Sequence, residues 1–138
     1  MITIFYTKYS KTFTEYRNLF YLKQKNSFFE KKNVPVNIAD ILTHPLALAV
    51  WYLDDGTKRN DTKSYRIATQ SFSENENKLL QQCLKQNFNV NAKIESFGKS
   101  KNNISYYSLA ILRKDYSIFR DTIFDIVQTE IPSMLYKL

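Results

Sequence analysis

A chain of 138 residues with 43% hydrophobic and 15% aromatic residues is long and apolar enough to bury a core of its own, which excludes a disordered tail. Its net charge of +7 favours polyanionic partners, DNA or RNA above all, while the longest apolar run, residues 45–53, falls well short of the roughly 20 residues that span a bilayer. Cys83 and His44 are each the only residue of their kind, which excludes an internal disulfide, a cysteine-rich zinc site and a histidine-based triad.

Residues 1–6 are β-branched and aromatic and predict a strand; nothing in MITIFYTKYSK has the long apolar core or cleavage site of a signal peptide. Thr12 and Glu15 make a capping-box pattern for a helix running to about Lys23, with Tyr16, Leu19 and Phe20 on one face. Residues 28–35 read as a loop, because Pro35 pushes Val34 out of the helical region. Asn37 is placed to cap a short helix ending at Leu42.

Residues 45–56, PLALAVWYLDDG, predict the central helix. Thr43 and Pro45 suit its start, and the run from Leu46 to Tyr52 leaves almost no polar face, so it should be buried. Gly56 is expected to stop it in a left-handed C-cap. Asp54 and Asp55 fall in the last turn, where the helix dipole is negative and each carboxylate costs about 0.3–1 kcal/mol. A bound cation would remove that cost, which makes both aspartates candidate metal ligands; a solvated Asp-Asp-Gly turn is the plain alternative.

Beyond Gly56 the period changes to two. Residues 57–60 and 64–70 predict a hairpin, with Tyr65, Ile67 and Thr69 on one face and Arg66, Ala68 and Gln70 on the other. Ser73 and Glu76 form a second capping box for a helix with a Leu79, Leu80, Cys83, Leu84 and Phe88 stripe. Residues 92–97 and 104–112 are two more strands around a polar loop at 98–103, and Asp115 can cap a last helix bearing Tyr116, Phe119, Ile123 and Val127. The result is an α+β fold, αββαββα, with one four-stranded antiparallel sheet and its helices on one face. The free face would carry Arg66, Gln70, Lys93, Glu95, Tyr106 and Ser108, with Lys58 and Arg59 beside it, all side chains able to reach phosphates or base edges.

Residues 48–56, LAVWYLDDG, resemble the nine-residue motif of the LAGLIDADG homing endonucleases, matching it at Leu48, Ala49, Asp55 and Gly56, with Val50 where the motif has glycine. The order αββαββα is that of one LAGLIDADG half. RIATQSF at residues 66–72 and IPSMLYKL at 131–138 are similar to segments of yeast mitochondrial intron-encoded members. The resemblance implies that Asp55 binds the metal, Mg²⁺ or Mn²⁺, and that Lys137 is the active-site lysine of this half. It also implies a mitochondrial location, with a bacterial or phage cytoplasm as the alternative.

Tyr16-Arg17-Asn18-Leu19-Phe20 parallels Phe119-Arg120-Asp121-Thr122-Ile123-Phe124, and Lys32 lies near Pro35 as Lys137 follows Pro132. Residues 1–35 therefore read as the remnant of a preceding half, with Lys32 its active-site lysine by resemblance, and residues 36–138 as a LAGLIDADG half-domain. Leu46, Ala49, Val50 and Leu53 should form an exposed apolar stripe for a second motif-bearing half or a second copy. The expected activity is metal-dependent cleavage of double-stranded DNA; the alternatives are a maturase-like splicing cofactor acting on intron RNA and an inactive nucleic-acid binder on the same fold.

Overall fold

The computed structural model describes residues 8, 10–23, 28–99 and 101–138. The strand expected at residues 1–6 lies outside them. Helix α1 (Lys11–Phe20) begins from Ser10, with no side-chain cap, so Thr12 is inside the helix rather than at its start. It also ends three residues earlier than expected. Tyr21–Lys23 is a strand, β1, which pairs antiparallel with β2 (Glu30–Lys32) in the stretch expected to be a loop. No residue of α1 is buried. This ribbon is closed by Asn33, whose N–H donates to Phe20 O at 2.7 Å, and joins the rest through Val34, a core residue.

A short helix, α2 (Ile38–Ile41), follows Asn37, whose side chain does not cap it. The long helix α3 (Pro45–Asp55) is capped by His44 instead of Thr43: the imidazole Nδ1 accepts from Leu46 N–H at 3.1 Å. Leu48, Ala49, Tyr52 and Leu53 are its buried face. The helix is not buried all round, because Leu46 and Val50 remain 45% and 53% exposed.

Gly56 ends α3 in extended backbone, φ −91° and ψ 154°, not in the left-handed conformation, and it opens the next strand directly. Glycine is needed there for space. A Cβ on Gly56 would overlap the ring and the carbonyl oxygen of Tyr52.

The sheet runs in the order β3 (Gly56–Lys58), β4 (Tyr65–Ala68), β6 (Ser105–Ile111) and β5 (Ala92–Lys99), antiparallel throughout. Strand β5 continues past residue 97, through an irregularity between Ser96 and Lys99 that holds Gly98 at φ 75°, a value that favours glycine. Helix α4 (Glu74–Phe88) starts on the full Ser73–Glu76 capping box and stops at left-handed Asn89. Helix α5 (Tyr116–Glu130) follows a 3₁₀ turn, Arg113–Asp115, and a second 3₁₀ segment, Pro132–Lys137, closes the chain.

From α3 onward the order is the expected αββαββα, an α+β fold with one four-stranded antiparallel sheet. Its core joins Tyr65, Ile67, Leu109 and Ile111 of the sheet to Leu84, Phe119, Ile123 and Val127 of the helices. Tyr52 meets Tyr65 and Phe119 edge-on at centroid distances of 5.3 and 5.2 Å, and Tyr65 stacks on Tyr116 at 4.5 Å. Such pairs add about 0.5–1.5 kcal/mol each beyond the area they bury. Burial and the neighbouring Tyr116 push the Tyr52 phenol well above its usual range, so it stays a neutral donor.

Buried polar groups help to hold the layers together. Asn77 accepts from Thr69 Oγ1 at 2.5 Å and donates to Ser73 O and Phe72 O, fixing α4 to the end of β4. Asp115 does not cap α5 with its side chain; buried, it accepts instead from the backbone N–H and Nδ2 of Asn91. Cys83 lies fully buried on α4 under α2, its thiol 3.8 Å from Ile38 O and 3.7 Å from Leu42 O.

Candidate active site and nucleic-acid interface

The C-terminal end of α3 collects most of the chemistry. Asp54 is exposed and Asp55 partly buried. The ammonium of Lys137, more than 80 residues on, donates to Leu53 O at 2.6 Å and to Gly56 O at 3.1 Å. The tail is held in the other direction as well: Tyr52 Oη donates to Lys137 O at 2.6 Å, and Lys58 Nζ donates to Leu138 O at 2.6 Å. A cation therefore does sit at the negative end of the helix dipole, on the carbonyls of Leu53 and Gly56 that flank the two aspartates in sequence.

Asp55 also lines a cavity of about 310 Å³ together with Lys32, whose ammonium lies 5.7 Å from the centre of the Phe72 ring. The rest of the lining is mostly apolar and comes from both sides of the residue 35 boundary: Tyr16 and Phe20 of α1, then Ile38, Ala47 and Trp51. The apolar lining of this cavity was not foreseen; its signal is the aromatic face of α1, which finds no burial elsewhere.

Among the described residues no three His, Cys, Asp or Glu side chains cluster as a metal cage. The donors at the helix end are all hard oxygens, from Asp54, Asp55 and main-chain carbonyls. Mg²⁺ typically takes only one or two carboxylates and completes its shell with water and substrate phosphate. The donor set therefore fits such an ion shared with a nucleic-acid phosphate.

On the open sheet face the candidate contacts are unequal. Lys93 and Tyr106 are exposed on β5 and β6, and Gln70 is exposed but lies past the end of β4. Arg66 is paired with Glu95, Nη2 to Oε2 at 2.8 Å, and lies over the Phe97 ring at 4.8 Å. Arg59 is gripped by Asp61 through two hydrogen bonds of 3.0 and 2.7 Å, which strengthens its hold on its proton and lowers the Asp61 pKa.

Ser108 must be removed from the contact set. It is fully buried on the central strand, opposite Ala68 and Glu95, and larger neighbours cover so small a side chain. Ala49 and Leu53 likewise leave the proposed stripe, since both are buried in this chain's own core; Leu46 and Val50 remain exposed. A cleft beside the β3–β4 turn, lined by Arg59, Asp61, Lys63 and Arg113, adds Lys63 and Arg113 as cations not singled out from the sequence. Only the pairing of β4 with β6, which ends next to Arg113, brings them together.

A family model described as the LAGLIDADG DNA endonuclease family matches residues 2–119. This chain belongs to the LAGLIDADG family. Cytochrome b mRNA maturase bI2 of Debaryomyces hansenii is 32% identical over 114 residues, 83% of this chain and 40% of the relative. The DNA endonuclease I-ChuI of Chlamydomonas applanata is 31% identical over 110 residues, 78% of this chain and 50% of the relative. Among solved structures, the homing endonuclease I-WcaI bound to its DNA recognition sequence is similar with a TM-score of 0.71 and 28% identity, over 93% of this chain and 52% of that one. The chain thus spans about half the length of these LAGLIDADG relatives, or less.

Proposed function

We propose that this LAGLIDADG chain acts as one half of a homing endonuclease. It binds double-stranded DNA on the open sheet face and hydrolyses a phosphodiester at the C-terminal end of α3. What carries this reading is that Lys137 is bonded to the carbonyls on either side of Asp54 and Asp55, while Lys32 shares a cavity with Asp55, in a family whose member I-WcaI is bound to DNA. Residues 1–35 are then the end of a preceding half and 36–138 the half proper.

Asp55, with Asp54 beside it, would hold Mg²⁺ or Mn²⁺. Such an ion, when bound, makes water nucleophilic and stabilises the leaving oxygen. Lys137, anchored through its own main chain by Tyr52, keeps a positive charge at the helix end where phosphate negative charge must be accommodated. Lys32 brings a second ammonium to the cavity that Asp55 lines. One motif helix supplies one such aspartate pair, so cutting both strands calls for a second half or a second copy.

Similarity to a bI2 maturase favours a second reading, an intron-RNA splicing cofactor, and both readings suit a mitochondrial, intron-encoded origin. Gel retardation of duplex DNA against structured intron RNA separates them. For the endonuclease, a randomised duplex pool should be bound and then cut on adding Mg²⁺. Asp55→Asn should retain binding and lose cleavage; undiminished cleavage by that variant would sink the assignment.

A further inference from the structure

On the open face, Arg66 of β4 reaches Glu95 of β5, two strands away. It must cross the central strand β6, and there the residues on its path are Ala110, directly opposite it, and Ser108, directly opposite Glu95. Both are small and both are buried. The far end of the crossing is the Phe97 ring, 4.8 Å from the guanidinium carbon. Arg66 Nε is buried and has no hydrogen-bond partner, and the same holds for Ser108 Oγ beneath it. A long, flexible side chain is thus held in one extended pose by an ion pair at its tip, an aromatic face and a floor of small residues.

An arginine fixed in this way has lost its rotamer freedom before any ligand arrives. The guanidinium has five N–H donors in a rigid fork, and Glu95 takes one from Nη2. A planar fork held on a DNA-facing sheet matches the paired O6 and N7 acceptors of guanine in the major groove. Its charge, by contrast, is already offset by Glu95, so it is a poor contributor to general attraction for phosphates.

We infer that Arg66 is a base-reading residue specific for guanine at one position of the bound duplex, and that Glu95 and Phe97 are positioning residues that hold it rather than contacts in their own right. This rests on the proposed binding of DNA by the open face. It divides the cations of that face into one that reads, Arg66, and others, Lys93 among them, that attract.

The test is selection from a randomised duplex pool with the full chain, followed by affinity measurement of selected duplexes over a salt series. The wild type should enrich a G·C pair at one position, and replacing that pair should weaken binding on the order of tenfold to a hundredfold. Arg66→Ala should erase the preference there and leave the slope of log K against log salt nearly unchanged, whereas Lys93→Ala should flatten that slope by about 0.9. Glu95→Ala should erase the preference at the same position, although it removes a negative charge that repels DNA. The double variant should be no less selective than either single one. A Glu95→Ala preference change at a different position, or an effect that adds to that of Arg66→Ala, would overturn the positioning role. Salt-dependent binding by the wild type with no guanine preference would overturn the reading role alone. Failure of the wild type to bind any duplex would overturn the DNA-binding proposal along with it.

Discussion

Gly56 and Lys137 show how much a single position decides here. The backbone at Gly56 would accept alanine, since φ −91° and ψ 154° are ordinary extended values. The obstacle is Tyr52, whose carbonyl oxygen belongs to the helix backbone and whose ring is fully buried among Tyr65 and Phe119, so that neither moves aside easily. Gly56→Ala should therefore cost about 1–3 kcal/mol, the usual range for overpacking, read as a lower urea midpoint at unchanged m-value. Lys137→Met keeps the apolar stem and removes the donor to Leu53 O and Gly56 O. A loss of about 1–2 kcal/mol is expected, in keeping with hydrogen bonds from charged groups at a partly buried site. An unchanged midpoint would mean that water satisfies those carbonyls just as well. The aspartates at the end of α3 could be read from nine residues of sequence. Lys137 could be named only through the resemblance carried by residues 131–138, and its bonds to Leu53 O and Gly56 O could not be read at all, because it returns from more than 80 residues away by a tail with no periodic pattern.

At the level of elements, Glu76 ties the N-terminal segment to helix α4. Its carboxylate accepts from Ser73 N–H at 2.7 Å, closing the cap of α4, and from Val34 N–H at 3.0 Å. Burial opposes its ionisation, but these bonds, the Ser73 hydroxyl and nearby Lys31 outweigh it, so its pKa lies below the ordinary glutamate value. A depressed carboxyl pKa contributes stability that is complete above the unfolded value of about 4.3 and is lost as pH falls through the folded one. Glu76→Gln should be less stable than the wild type at pH 7, and the gap should close below about pH 4 in urea titrations. A gap that persists at low pH would show that the bonds do not depend on the charge. Ser73–Glu76 was legible because a capping box has a fixed local spacing, and helices α4 and α5 were legible because their apolar residues recur at helical spacing. The β1–β2 ribbon was not. Both strands are three residues long and mostly exposed, so neither carries the burial alternation that marks a strand.

For the whole molecule, the question is what covers the outer side of α3. Leu46 and Val50 are exposed along it and Asp54 follows one turn later, while Ala49 and Leu53 face inward. Association with a second half or second copy should therefore depend on Leu46 and Val50. Replacing both by glutamate should lower self-association in sedimentation equilibrium and leave the urea midpoint within about 0.5 kcal/mol, as is usual for surface changes. Ala49→Glu should unfold the chain instead, by burying an unpaired charge. Divalent cations should strengthen wild-type association if two aspartate pairs meet there, and EDTA should weaken it. The inward turn of Ala49 and Leu53 was hidden in the sequence, because a helix with almost no polar residue offers no contrast by which to orient it.

Cys83 gives the molecule a built-in clock. It is the chain's one thiol, lies fully buried beneath α2, and has its pKa pushed up to about 11 by that burial. No reagent can reach it until α2 lifts from α4 or the core comes apart. The rate at which a thiol-reactive dye labels the native protein therefore times that opening, and comparison with the global unfolding free energy tells the two events apart. Added DNA or Mg²⁺ that quiets the labelling would register a ligand by the stillness it imposes on α2.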